Sequence, residues 1–300
     1  MNTITREQVA RVVREAIPQL AFDLPADIEQ GLVRAAERER DSRAAEVLRL
    51  LRENARIAHE DRVAICQDTG SVWVCLEAGP DVLVAGDALA DVNAAVGEAY
   101  VQSNLRKSIV KDALFDRANT GDNTPAFCEV KLVDRPGARL HIMLKGGGSD
   151  NASRVVMLTP GAGKQGIVDA LLACVREKAA NACPPLIIGI GIGATFDKVA
   201  GLAKHALMRP LDVPNPDANA AALEEELLAL VNGTGIGAGA LGGATTALGV
   251  RVETAPCHIA ALPLAINMGC SAMRRGTYEL EPIANTRCAG RIFTFGWKGK

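Results

Sequence analysis

The apolar pattern changes its period near residue 60, and this change bounds the fold more tightly than any other feature of the sequence. Before it, Val9, Val12, Val13, Ala16 and Ile17 recur on one helical face behind a Thr5-x-x-Gln8 capping box, and Pro18 is expected to end that helix. Ala44, Leu48, Leu51, Ala55 and Ala58 repeat the spacing with charges on the opposite side, giving a helical layer over residues 1–60. After it, 71–77 and 126–133 are short β-like runs, and 139–145 alternates through Leu140, Ile142 and Leu144. Leu89, Val92, Val96 and Tyr100 suggest a helix near 87–103 between them. A helix over 164–181 leads into a strand at 186–191, and a second helix follows near 195–208. Prolines at 210–217 mark a surface connection to a helix reaching about 231, and two strands lie near 246–254 and 258–267. The expectation is an α+β fold with mixed helices and small sheets, built as one intertwined domain over residues 1–300.

Composition narrows the function classes. Thirty-three Lys and Arg against thirty-five Asp and Glu leave a formal charge of −2, which supplies no bulk attraction to nucleic acid or an anionic membrane. No apolar run approaches the roughly 18 residues of a membrane span, and the first twenty residues carry charges where a signal peptide would be apolar. A cytoplasmic protein with a small partner molecule is expected. Aromatics at 3% beside 29 glycines indicate that close backbone approach, more than aromatic packing, shapes the chain.

The glycine-rich runs do not read as nucleotide loops. Gly189, Gly191 and Gly193 follow a strand, but GxGxxG needs its third glycine one place further on. The formal match at Gly237–Gly242 follows a helix, and Gly161-Ala162-Gly163-Lys164 lacks the phosphate-loop spacing. Lys145-Gly146-Gly147-Gly148-Ser149 differs, because three glycines at a strand end expose N–H groups able to bind a carboxylate, a plain turn being the alternative.

Eight cysteines without a CxxC pair argue against disulfides and against a zinc finger. Cys75, Cys128 and Cys174 lie inside apolar strand or helix patterns and are assigned to packing. Cys66, Cys183 and Cys270 instead follow element ends beside turn-forming or polar residues. Three distant thiolates can converge on an iron–sulfur cluster, and a four-iron cluster held by three of them leaves one iron open as a Lewis acid. Dehydration of a hydroxy acid suits such a centre, given an acid–base group and donors that fix carboxylates. The alternative is a non-catalytic scaffold whose cysteines are core residues or hold structural zinc.

Several ordered motifs sharpen this: Cys66-Gln67-Asp68-Thr69-Gly70, Asn104-Leu105-Arg106, Asn119-Thr120-Gly121-Asp122-Asn123, the triple glycine, Ala182-Cys183-Pro184-Pro185, and His258 twelve residues before Cys270-Ser271-Ala272. Together they resemble the class I fumarase family of iron–sulfur hydro-lyases, in its amino-terminal or α-subunit part. The resemblance implies that residues 61–275 form the cluster and substrate region, with Cys66, Cys183 and Cys270 holding a 4Fe-4S cluster. It implies Asp68 as acid–base group and Gln67, Arg106, Gly148 and His258 as substrate contacts. Malate and fumarate are the expected substrate pair, and tartrate or citramalate the alternative. Ser149, where tartrate dehydratases tend to carry cysteine, inclines the reading to fumarate. Single-chain members continue into a second domain, whereas this sequence ends at Lys300, so a separate β subunit is expected to complete the site in an oligomer of αβ units.

Overall fold

The computed structural model describes residues 2–281 and 283–284, which leaves Cys288 and the carboxyl-terminal stretch outside. A short strand β1 (Asn2–Ile4) precedes the helical layer of α1 (Arg6–Phe22), α2 (Ala26–Arg38) and α3 (Ser42–Asp61). The Thr5–Gln8 capping box forms at the start of α1. Pro18 does not end this helix, which runs on to Phe22. An interior proline costs roughly 3 kcal/mol. The turn beyond it buries Leu20, Ala21 and Phe22, and burial of a Leu or Phe side chain contributes about 1.5–3 kcal/mol each, which offsets the lost hydrogen bond.

The elements that follow are β2 (Ser71–Ala78), β3 (Val82–Val84), α4 (Val92–Gln102), β4 (Phe127–Leu132) and β5 (Ala138–Lys145). Next come the short α5 (Gly147–Asn151), β6 (Arg154–Leu158), α6 (Gly163–Lys178), β7 (Leu186–Ala194) and α7 (Phe196–Ala206). The last are α8 (Ala218–Asn232), β8 (Ala247–Cys257), β9 (Leu262–Gly269), β10 (Arg274–Leu280) and β11 (Ile283–Ala284). Helices and mixed sheets make the fold α+β. One four-stranded sheet has the order β10-β5-β2-β4 and another the order β6-β9-β7-β8, while β11, β1 and β3 form a small third sheet.

Alternation along β2 and β5 divides the first sheet. Val72, Val74, Leu76, Leu140, Ile142 and Leu144 join the core formed with α1 and α4. Trp73, Cys75 and Met143 point to the other face, where they meet Ile187, Leu207, Met208 and Met273. The second sheet packs α6 and α8 on one face and α7 on the other. Gly189 and Gly191 explain the glycine run in β7, because a Cβ on either would collide with the Ala203 or Val199 carbonyl of α7. Cys75 and Cys174 are buried as expected, but Cys128 is not. It lies on the edge strand β4, whose six residues are all exposed, so an apolar run there did not mean burial.

Candidate active site

Three chain turns bring Cys66, Cys183 and Cys270 to one corner of the molecule. Arg62 ends α3 in the left-handed conformation, and the loop after it is pinned by Ile65 N–H donating to Ala21 O (3.0 Å) and Asn54 Nδ2 donating to Ile65 O (2.8 Å). Cys66 thereby comes to rest in a small apolar cluster with Ala55, Ala58 and Ala272. Cys183 follows the 3-10 turn Ala179–Ala182 and is itself left-handed, at φ 54 and ψ 68. Cys270 leaves β9, and Ser271 N–H donates to Cys183 O at 3.1 Å, so the second and third cysteine turns are joined directly. Gly239 N–H donates to Pro184 O at 2.8 Å, which makes the glycine-rich loop after α8 a brace for the Cys183 turn.

Asp68 lies between two other segments. Its Oδ1 accepts from Gly70 N–H at 3.1 Å, the local turn that an aspartate in such a loop favours. Its Oδ2 accepts from Gly147 N–H at 2.7 Å, and Arg106 Nη2 approaches Oδ1 at 3.6 Å. The first and third of the three glycines leave little room for a side chain. A Cβ on Gly146 would stand 3.3 Å from Asp68 Oδ2, and one on Gly148 would stand 3.2 Å from Asn181 O, just before Cys183. Asn123 is fully buried and holds the Arg106 loop in place, accepting from Ser108 N–H at 2.7 Å and donating to Gly70 O at 3.0 Å. Asn119 adds a bond from Nδ2 to Lys107 O at 2.9 Å. The asparagine motif is thus a scaffold for the arginine. Gln67 turns its Oε1 toward the Cys66 thiol at 3.4 Å.

The surrounding charges are cationic and poorly paired. Arg274 is 1% exposed, and its Nε and Nη1 have no hydrogen-bond partner. Leaving buried guanidinium donors unpaired is expensive, so the position calls for an anionic neighbour. Lys145, also buried, donates to Ser149 Oγ at 2.9 Å and Met268 O at 2.7 Å; burial lowers its pKa to about 8 against the pull of Asp150 and Cys270. Burial raises the Cys270 thiol above its ordinary range and the charge of Cys66 adds to this, while Arg274 opposes it. Cys183 is likewise raised by desolvation and by the charges of Cys66 and Asp68. Cys66 thus lies within electrostatic reach of both other cysteines. Three thiols, a buried arginine with spare N–H donors and a buried lysine fit an anionic iron–sulfur group.

Sequence reasoning quoted Lys145 and Asn123 only as members of their motifs and gave no role of their own to them or to Arg274. A signal for two of them was present: Lys145 is a cation closing the apolar strand β5, and Arg274 is a cation four residues after Cys270. His258 lies elsewhere. It sits in the turn joining β8 to β9, where Ala260 N–H donates to its Nδ1 at 3.1 Å. Cys270 follows Gly269, which pairs with Ile187, whereas the β8 end before His258 pairs with Ala194. Seven strand residues, about 23 Å at ~3.3 Å each, separate the two ends, so one copy of the chain does not bring His258 to the cysteines. Ser149 is buried, accepts from Lys145 and donates to Gly146 O, so its hydroxyl is taken up within the glycine loop.

The model of the fumarate hydratase (Fumerase) family matches residues 10–279. The chain belongs to this family. Over 280 residues it is 35% identical to a Methanocaldococcus jannaschii protein provisionally named L(+)-tartrate dehydratase subunit alpha, an alignment covering 91% of this chain and 98% of that one. Over 292 residues it is 29% identical to the L(+)-tartrate dehydratase subunit alpha of Escherichia coli K12, covering 94% and 96%. The subunit alpha of Shigella boydii serotype 4 matches to the same extent. The chain is accordingly a hydro-lyase of the class I fumarase type, a family that uses iron–sulfur clusters. Among the described residues no helix is long and apolar enough to cross a membrane.

Proposed function

We propose that the chain is the α subunit of a two-subunit hydro-lyase that removes water from, or adds it to, a four-carbon dicarboxylate at a 4Fe-4S cluster held by Cys66, Cys183 and Cys270. The observation that carries this reading is the meeting of three cysteine turns beside Arg274, whose buried N–H donors lack partners. Bound there, the cluster supplies Lewis acidity toward the departing hydroxyl. Arg274 and Lys145 place positive charge at the buried side of the sulfurs. Arg106, more than half exposed, offers its guanidinium fork to a substrate carboxylate. The N–H groups around Gly148 face the second carboxylate. Asp68, held by Gly70 and Gly147, gives a proton from its carboxyl to the leaving hydroxyl, and water departs. The base that takes the proton from the adjacent carbon comes from the β subunit, which also covers Asp68 and Arg106. Gln67 borders the substrate beside the first cysteine.

The relatives aligned over nearly their whole length carry tartrate in their names, so L(+)-tartrate is the favoured substrate. Malate and fumarate form the second reading, favoured by the family description. An anaerobic assay of the chain copurified with its β partner, offered L(+)-tartrate, malate and citramalate separately, is the test. Turnover of tartrate with the highest kcat/KM is expected. Preference for malate would replace the first reading with the second, and turnover of none by a cluster-loaded pair would defeat both.

A further inference from the structure

A second group of ligating side chains lies on the inner face of the first sheet, four residues along β5 from Lys145 and so about 13 Å from it. Glu77 on β2, His141 on β5 and His205 on α7 turn their ligand atoms toward one another, all within 4.8 Å. Glu77 Oε1 is 2.9 Å from His205 Nε2, and Oε2 is 3.2 Å from His141 Nε2. Ligands held at about 2.0–2.1 Å around a tetrahedral zinc ion stand about 3.4 Å from one another, close to these separations. Both imidazoles are oriented from behind. His141 Nδ1 meets Thr277 Oγ1 at 2.8 Å, and His205 Nδ1 meets the Glu253 carboxylate at 2.9 Å. An imidazole that donates its Nδ1 proton to an oxygen presents a lone pair at Nε2, the arrangement that supports metal-bound histidines.

Two further observations separate this group from an ordinary buried ion pair. His141 is 6% exposed, and its Nε2 faces only the Glu77 carboxylate, at an ion-pair distance of 3.2 Å and without the alignment of a hydrogen bond. The Lys131 ammonium on the edge strand β4 reaches in from solvent, 3.4 Å from both Glu77 Oε1 and His205 Nε2. A cation already stands beside these ligands, on a side chain 43% exposed.

We propose that Glu77, His141 and His205 form a zinc site, with Glu253 and Thr277 as its outer shell and Lys131 as its resident competitor. Two carboxylates near two imidazoles match a borderline divalent ion, and Glu77 is held as the anion by both imidazoles despite its burial. The site joins the first sheet to α7 on the second, so its role is to clamp the two sheets.

The test uses the full chain with Cys66, Cys183 and Cys270 all replaced by serine, so that the three-cysteine corner does not contribute, and sulfur-to-metal charge transfer reports any binding by the five remaining thiols. Zinc sulfate is titrated against a chromophoric chelator, and cobalt chloride is followed by absorption. One zinc per chain is expected, with tetrahedral cobalt bands that lack sulfur-to-metal charge transfer. Thr277→Val should weaken zinc about 10-fold or more through the outer shell. His141→Ala should weaken it further, and Lys131→Ala should tighten it. If His141→Ala does not fold, Thr277→Val and Lys131→Ala carry the test. A folded chain that takes up no zinc at one equivalent, or an affinity unchanged by these substitutions, overturns the proposal.

Discussion

At the scale of single residues, the most constrained position of the candidate active site is Cys183. Its left-handed backbone, at φ 54, disfavours any side chain with a Cβ by about 1–2 kcal/mol. Glycine would relieve that conformation, although its larger unfolded-state entropy takes back about 0.5–1 kcal/mol. In the cluster-free chain Cys183→Gly should therefore be more stable than Cys183→Ala by roughly 0.5–1 kcal/mol, read from urea midpoints. Equal midpoints would show that the turn relaxes. The cysteine is kept at a strained position, which fits a ligand more than a packing residue. Its sequence neighbourhood, a cysteine before two prolines, made the turn legible. The left-handed angle was not legible, because it depends on Gly239 bracing Pro184 and on Ser271 donating to Cys183 O.

At the scale of elements, α7 against β7 is a junction with no room for substitution. Gly189→Ala would drive a methyl into the Ala203 carbonyl, and overpacking of this kind costs typically 1–3 kcal/mol. The expected outcome is a lower melting temperature with α7 cleaved first in limited proteolysis. Unchanged melting would mean that α7 shifts without loss. The same helix carries a pH dependence. His205 from α7 faces Glu77 on β2, Glu253 on β8, His141 on β5 and Lys131 on β4. Burial opposes its protonation, but hydrogen bonds to Glu253 and Glu77 outweigh burial and raise its pKa to about 9. A raised pKa gives stability that is complete below the unfolded value of ~6.5 and is lost as pH rises through about 9. Metal-free protein should therefore lose stability between these values, and His205→Gln should flatten that part of the curve. A wild-type profile already flat there would contradict the assignment.

Element identities were largely legible in the sequence because apolar period and length separate helix from strand. The helix over α1 was read correctly except at Pro18, where tertiary burial of Leu20 and Phe22 overrides a local breaker. Cys128 was misread because an apolar run looks the same on a central strand and on the edge strand β4. The purpose of the β7 glycines appears only when α7 is laid across them.

At the scale of the whole molecule, one buried ion pair ties the helical layer to the sheets. Arg275 on β10 donates to Asp27 on α2 at 2.5 Å and to Leu207 O at 2.6 Å, beyond the end of α7. Burial tends to raise the Asp27 carboxyl, yet the Arg275 contacts and the Leu211 N–H outweigh it and leave its pKa below the ordinary value. Asp27→Asn leaves a buried guanidinium unpaired, and breaking such a pair costs about 3–5 kcal/mol. The substitution should be strongly destabilising in chemical denaturation, and a loss below about 1 kcal/mol would mean that the pair is solvated. What the sequence could not reveal at this scale is direction. His258 stands near Cys270 in sequence, but the β8–β9 turn carries it to the far end of the sheet. Cys66, Cys183 and Cys270 are far apart in sequence, yet their motifs were legible because each ends an element at the same side of the fold.

The most direct measurement is anaerobic reconstitution of the full chain with ferrous iron and sulfide, with iron and acid-labile sulfide counted beside the visible absorption. A brown protein holding about four of each is expected, with the band greatly weakened by Cys66→Ser, Cys183→Ser or Cys270→Ser and retained in Cys128→Ser. A colourless wild-type chain, or colour indifferent to those three substitutions, would contradict an iron–sulfur centre at this corner of the molecule.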